Sequence, residues 1–200
     1  MKKNLKKKWW LLGLLLLLIA AAVLYVCLLQ PSSGTPTFVV ETPQKLSASQ
    51  QEEFTLDVTV DRLGDARYPA ASMSISFDAS RLEFLGVEEG TVFILSDRNS
   101  SGQQLPDWSC NVQNSNDTGR INVMYLDMTG GRNAFTQELL AEEENVVLRL
   151  RFRLRGSVRT GDVLDLIVED AVFAASDESQ SLATNRDTLK TRNGRIVIGD

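Results

Sequence analysis

The stretch MSISFDASRLEFLGVEEG, residues 73–90, decides the fold. Met73, Ile75 and Phe77 alternate with Ser74 and Ser76, the period-two pattern of a strand with one face in a core. Asp78, Ala79 and Ser80 make a turn, because short oxygen-bearing side chains compete with a ladder for backbone N–H groups. A second apolar run follows from Leu82 to Val87 and stops at Glu88, Glu89 and Gly90.

The same pattern extends to both sides. Residues 54–60 (FTLDVTV) alternate without a fault, as do residues 108–112 (WSCNV). Residues 121–128 are apolar at nearly every position, and residues 147–154 read VLRLRFRL. Residues 163–168, 172–173 and 195–198 complete the set. Clusters of Gly, Asn, Asp and Ser at 61–65, 88–90, 114–119, 129–133 and 156–157 separate the runs. Short strands divided by such clusters predict an all-β antiparallel sandwich, with inner faces in the core and outer faces free to bind. Residues 137–145 (QELLAEEEN) are the one helix candidate, about two turns long. No internal repeat is present.

The N-terminus has a different composition. Lys2, Lys3, Lys6, Lys7 and Lys8 precede a run without charge at residues 9–29, WWLLGLLLLLIAAAVLYVCLL. At about 1.5 Å per residue this run spans a hydrocarbon core of about 30 Å. The expectation is a single-pass anchor in the cell membrane, lysines inside and the domain outside. The competing reading is a cleaved signal peptide, which makes the protein secreted. Residues 1–30 are thus read as basic stub and anchor or signal segment, 31–36 as linker, and 37–200 as the β-sandwich. Residues 24–27 fit a lipobox poorly, since Val26 stands where a small residue is expected.

Charge and composition exclude several functions. Removing the five N-terminal lysines from the 21 Lys and Arg leaves 16 against 26 Asp and Glu, a formal charge of −10. A nucleic-acid partner needs a basic face, so none is expected. The chain has no His, which removes the commonest general base and metal ligand. Glu88, Glu89, Asp117, Asp177, Glu178 and the acids at 142–144 sit in turns and read as solvated. No nucleophile elbow, phosphate-binding glycine loop or metal-ligand spacing occurs. Neither enzymatic activity nor a cofactor is expected. Asn114, Asn116 and Asp117 are only a loose hint of a calcium loop. Cys110 reads as a free thiol that packs like a small hydrophobe.

Two strands depart from the plain in/out rule. With Leu148, Leu150, Phe152 and Leu154 inward, Arg149, Arg151, Arg153 and Arg155 stand in file on an outer face. Such a file is either a solvated face balanced by acids on neighbouring strands or a docking stripe for an acidic partner. With Ile121, Val123 and Tyr125 inward, Met124, Leu126 and Met128 point outward as a candidate adhesive patch.

Residues 73–90, residues 119–125 with the following Thr129, Gly130 and Gly131, residues 147–156 and residues 170–174 together resemble the cohesin domain family in order and spacing. Ala79 stands where that family usually has proline. The resemblance covers about residues 37–199. It implies a nine-stranded jelly-roll β-sandwich, one flat face of which binds calcium-loop dockerin domains in the assembly of cell-surface complexes. Carried over strand by strand, that face would hold Ser72, Ser74, Ser76, Asn111, Met124, Leu126, Arg149, Arg151 and Arg153. It would bind a protein partner and no metal. A carbohydrate-binding module of the same architecture is the main rival, and polysaccharide its ligand. It needs exposed aromatics; Trp108 and Tyr125 have inward parity, leaving Tyr68. A structural spacer in an envelope complex is the second rival.

Overall fold

A computed structural model describes residues 34–42, 45–49, 52–93, 108–140 and 145–200. Its strands are β1 (Thr37–Val40), β2 (Leu46–Ser47), β3 (Phe54–Val60), β4 (Ala70–Ser76), β5 (Leu82–Glu89), β6 (Ser109–Cys110), β7 (Arg120–Leu126), β8 (Val146–Leu154), β9 (Val163–Ala174), β10 (Leu182–Ala183), β11 (Lys190–Arg192) and β12 (Gly194–Gly199). One α-helix, α1 (Val112–Thr118), joins β6 to β7. Residues Thr35–Asp200 form one compact unit.

The strands make two sheets. The first has the order β11-β1-β3-β8-β5 and the second β2-β12-β9-β4-β7-β6, with β10 alongside β9. Pairing is antiparallel except at the rims, where β1–β11 and β2–β12 are parallel. Alternation follows the residues read from sequence. Leu56 and Val58 of β3, Leu148, Leu150 and Phe152 of β8, Met73 and Ile75 of β4, and Ile121, Val123 and Tyr125 of β7 are all buried between the sheets. Removing one such side chain from water contributes about 1.5–3 kcal/mol.

Aromatic rings fill the interior in two groups. Phe152 packs against Phe77 and Phe84, each at 5.5 Å between centroids. Elsewhere Trp108, Tyr125, Phe135 and Phe173 interlock at 5.0–5.9 Å. The Trp108 indole N–H donates to the Val147 carbonyl at 3.1 Å, tying the second sheet to the first.

Several sequence expectations are corrected. The described residues hold twelve strand segments rather than nine, because the short strands β1, β2, β10 and β11 carry too little alternation to be read. Residues 163–168 and 172–173 belong to one strand, β9, which continues through a bulge: Ile75 pairs with Val168 and Ser74 with Asp170, so Glu169 is the extra residue. The strand expected at 108–112 ends at Cys110, where Asn111 caps α1. The helix expected at 137–145 is a 3-10 turn, Gln137–Leu140; residues 141–144 lie outside the described residues.

The membrane helix is also corrected. Among the described residues no helix is long and apolar enough to cross a membrane. Residues 9–29, on which that expectation stood, lie outside the described residues. The single-pass topology, the cell-membrane or secreted location and the membrane contact rested on that run and fall with the helix.

Candidate functional site: the outer face of the seven-stranded sheet

The two sheets present contrasting outer faces. On the five-stranded sheet, β8 lies between β3 and β5, so its arginines meet the acids of both neighbours. Arg149 pairs with Asp57 at 2.9 Å and Arg151 with Glu53 at 2.6 Å and Glu88 at 3.2 Å. Arg153 pairs with Glu53 at 3.0 Å and Glu83 at 3.4 Å. A hydrogen bond from Arg151 is the largest influence on Glu53 and holds its carboxyl below the ordinary range. Arg149, Arg151 and Arg153 are therefore consumed by the domain's own acids, the solvated of the two readings, and Arg155 donates to the Leu82 carbonyl at 3.3 Å. Arg149, Arg151 and Arg153 do not share a face with the serines of β4, because β8 pairs in the other sheet.

The seven-stranded sheet is different. Ser72, Ser74 and Ser76 of β4 form a row of small hydroxyls down its middle. Met124 and Leu126 of β7 stand beside them, 56% and 49% exposed. Ser72 is opposite Met124, and Ser74 opposite Asn122, to which its hydroxyl donates at 2.7 Å. On the other side of β4, Asp170 and Ile167 of β9 register with Ser74 and Ser76. Val163 and Val197, opposite one another on β9 and β12, extend the exposed apolar surface. Every large hydrophobic side chain exposed among the described residues (Met124, Leu126, Met128, Val163, Ile167 and Val197) lies on this sheet or in the loop leaving β7.

A shallow depression on this face brings together Ser72, Ser74, Asn111 and Met124, with Asn122 and Asp170. Four of the nine nominated residues thus meet, and Leu126 and Ser76 lie on the same two strands. Asn111 reaches the site from a helix cap rather than a strand. Its Oδ1 accepts the Asn114 N–H at 3.0 Å, so its position is set by α1. Asp170 and Ile167 were missed: Ile167 faces outward by the same alternation as Val163 and Asp165, whereas the facing of Asp170 depends on the β9 bulge.

The loop after β7 is built around Asp127. Burial pushes its carboxyl up, but bonds from the Thr129 hydroxyl and the Thr129, Gly131 and Asn133 N–H groups outweigh this and hold it below the ordinary range. This anchors the loop carrying Met128, which is 75% exposed.

The remaining candidates are structural. Asn116 accepts the Phe84 N–H at 2.9 Å and donates to the Phe84 carbonyl at 2.8 Å, strapping α1 to β5. No cluster of three or more Asp, Glu, Cys or His side chains that could hold a metal exists among the described residues. Cys110 is free and half-buried, and burial pushes its thiol up, so it stays protonated at neutral pH. Tyr68, Trp108 and Tyr125 are 1%, 4% and 1% exposed, which leaves them unable to stack on a sugar. The carbohydrate reading thereby loses its last available ring, Tyr68.

Fold and face together define a β-sandwich binding module. The cohesin domain family model matches residues 39–190, and the chain belongs to that family. It is a non-catalytic protein-binding module. Similar solved structures include the third cohesin of ScaC in complex with the ScaB dockerin from Acetivibrio cellulolyticus. That match has 12% identity and a TM-score of 0.58, covering 82% of this chain and 99% of that one. The OlpA cohesin in complex with Doc918 from Clostridium thermocellum matches at 15% identity and a TM-score of 0.57, covering 82% and 99%. A non-cellulosomal cohesin from the archaeon Archaeoglobus fulgidus matches at 15% identity and a TM-score of 0.53, covering 84% and 93%. No curated protein sequence matches the chain.

Proposed function

We propose that this chain captures a dockerin domain on the outer face of its seven-stranded sheet. The observation that carries the reading is the segregation of exposed apolar side chains onto that one sheet. The opposite sheet is covered by internally paired charges. An interface centre needs apolar anchors that exclude water, and the Met124 and Leu126 side chains supply them. Cohesin structures solved with dockerins bound support the choice of partner.

The test is isothermal titration of the full chain against purified dockerin domains of its source organism. Met124→Lys with Leu126→Lys weakens capture by roughly 30-fold or more, the effect of losing a hot spot of about 2 kcal/mol. Arg151→Glu, on the far sheet, leaves affinity unchanged. Equal weakening by Arg151→Glu would move the binding face to the other sheet.

A further inference from the structure

We propose that Asp170 is the polar specificity determinant of this face, taking a Lys or Arg side chain from the partner. The inference rests on the docking reading above and names the chemistry the partner must bring.

The bulge in β9 turns two successive carboxylates, Glu169 and Asp170, away from the core, while Val168 and Ala171 on either side are buried. Their surroundings differ. Glu169 is already met by Arg120 at 3.0 Å, and Asp165, further along the strand, by Arg195 at 2.8 Å. Asp170 has no cation within ion-pair distance among the described residues. The depression it lines is formed by serines, asparagines, Met124, Cys110 and strand residues, with no Lys or Arg.

Asp170 is nevertheless held in place. The Thr184 hydroxyl donates to its Oδ1 at 2.6 Å and in turn accepts the Ala171 N–H at 3.2 Å. A carboxylate fixed in advance loses little freedom on binding. A partner that covers it must supply a donor, since an ion stripped of water without one costs several kcal/mol. A cationic donor is the best match, because charge-assisted hydrogen bonds are about twice as strong as neutral ones. The register places this carboxylate between apolar contacts. Asp170 sits in the row of Ser74 and Asn122, with Met124 one row to one side and Ile167 in the row of Ser76 on the other. The partner feature is therefore a basic side chain flanked by apolar ones. The excess of acids in the domain steers such a partner toward it.

The experiment titrates the full chain with the same purified dockerin domains at low and moderate salt. Asp170→Asn is expected to weaken binding about tenfold and to flatten its salt dependence. Glu169→Gln, whose carboxylate is already paired, changes affinity by less than about threefold. Thr184→Val, which frees the carboxylate to move, falls between them. Changing each dockerin Lys or Arg to Glu in turn should find one variant whose binding Asp170→Lys restores. If Asp170→Asn binds as the parent does with the same salt dependence while Met124→Lys abolishes capture, the Asp170 assignment is overturned and the docking face stands. If the unaltered chain binds no dockerin, or Met124→Lys has no effect, the docking reading is overturned and the assignment with it.

Discussion

Arg151 and Glu53 meet at 2.6 Å across the outer surface of the five-stranded sheet, and the same carboxylate takes Arg153 at 3.0 Å. Glu53 precedes β3, and Glu83 and Glu88 lie on β5, so acids from both neighbours of β8 close on one row of arginines. A surface balanced in this way has little net charge left to offer a partner.

The Glu53 carboxyl is held below its ordinary range in the folded chain, chiefly by the Arg151 hydrogen bond. A depressed carboxyl stabilises the fold above the unfolded-state value of Glu, and that contribution is lost as pH falls through the folded one. Melting curves taken from neutral pH into the acid range should therefore decline less steeply in Arg151→Gln than in the parent. Both groups are solvent-exposed, so the difference should shrink in high salt. An equal acid decline in both chains would show that the pair does not titrate with folding.

Met124→Lys and Leu126→Lys should separate binding from folding. Both side chains point away from the core, at 56% and 49% exposure. Urea unfolding should change by no more than about 0.5 kcal/mol, the range of surface substitutions, while dockerin capture is lost. A large fall in stability would mean that these side chains pack against the fold.

Trp108 should be the opposite case. It is 4% exposed, packs on Tyr125 and Phe135, and donates to Val147. Trp108→Ala should cost about 3–5 kcal/mol in denaturant unfolding. Trp108→Phe should cost less, about 1–3 kcal/mol, because it leaves the Val147 carbonyl without that donor but retains a ring. Equal losses for the two variants would assign the effect to the hydrogen bond rather than to packing.

Gly119 closes α1 with φ of 68°, and an added Cβ would stand 2.9 Å from the Phe77 carbonyl oxygen. Gly119→Ala should destabilise the chain by about 1–2 kcal/mol from the left-handed backbone alone. Since α1 sets the position of Asn111, the same variant should also weaken dockerin binding. Binding at full strength would show that Asn111 contributes nothing to the face.

The amino-acid sequence determined which side of β3, β4, β7 and β8 faces the core. Trp108 and Tyr125 are inward and Met124 and Leu126 outward, as period-two alternation requires, because successive side chains on a strand point to opposite faces. It also carried the family resemblance, which the family match over residues 39–190 bears out. Only the tertiary structure decided which strands share a sheet. An outward arginine on β8 has the same local pattern whether β8 lies beside β4 or between β3 and β5. Long-range pairing placed it between β3 and β5, with Asp57 opposite Arg149 and Glu83 opposite Arg153. Those acids were visible in the sequence at outward positions, and their match to the arginines was the signal available for the correct sheet. The bulge at Glu169 had no comparable signal. It exists because β9 must stay in register with β4 on both sides of one extra residue, and it alone turns Asp170 onto the binding face.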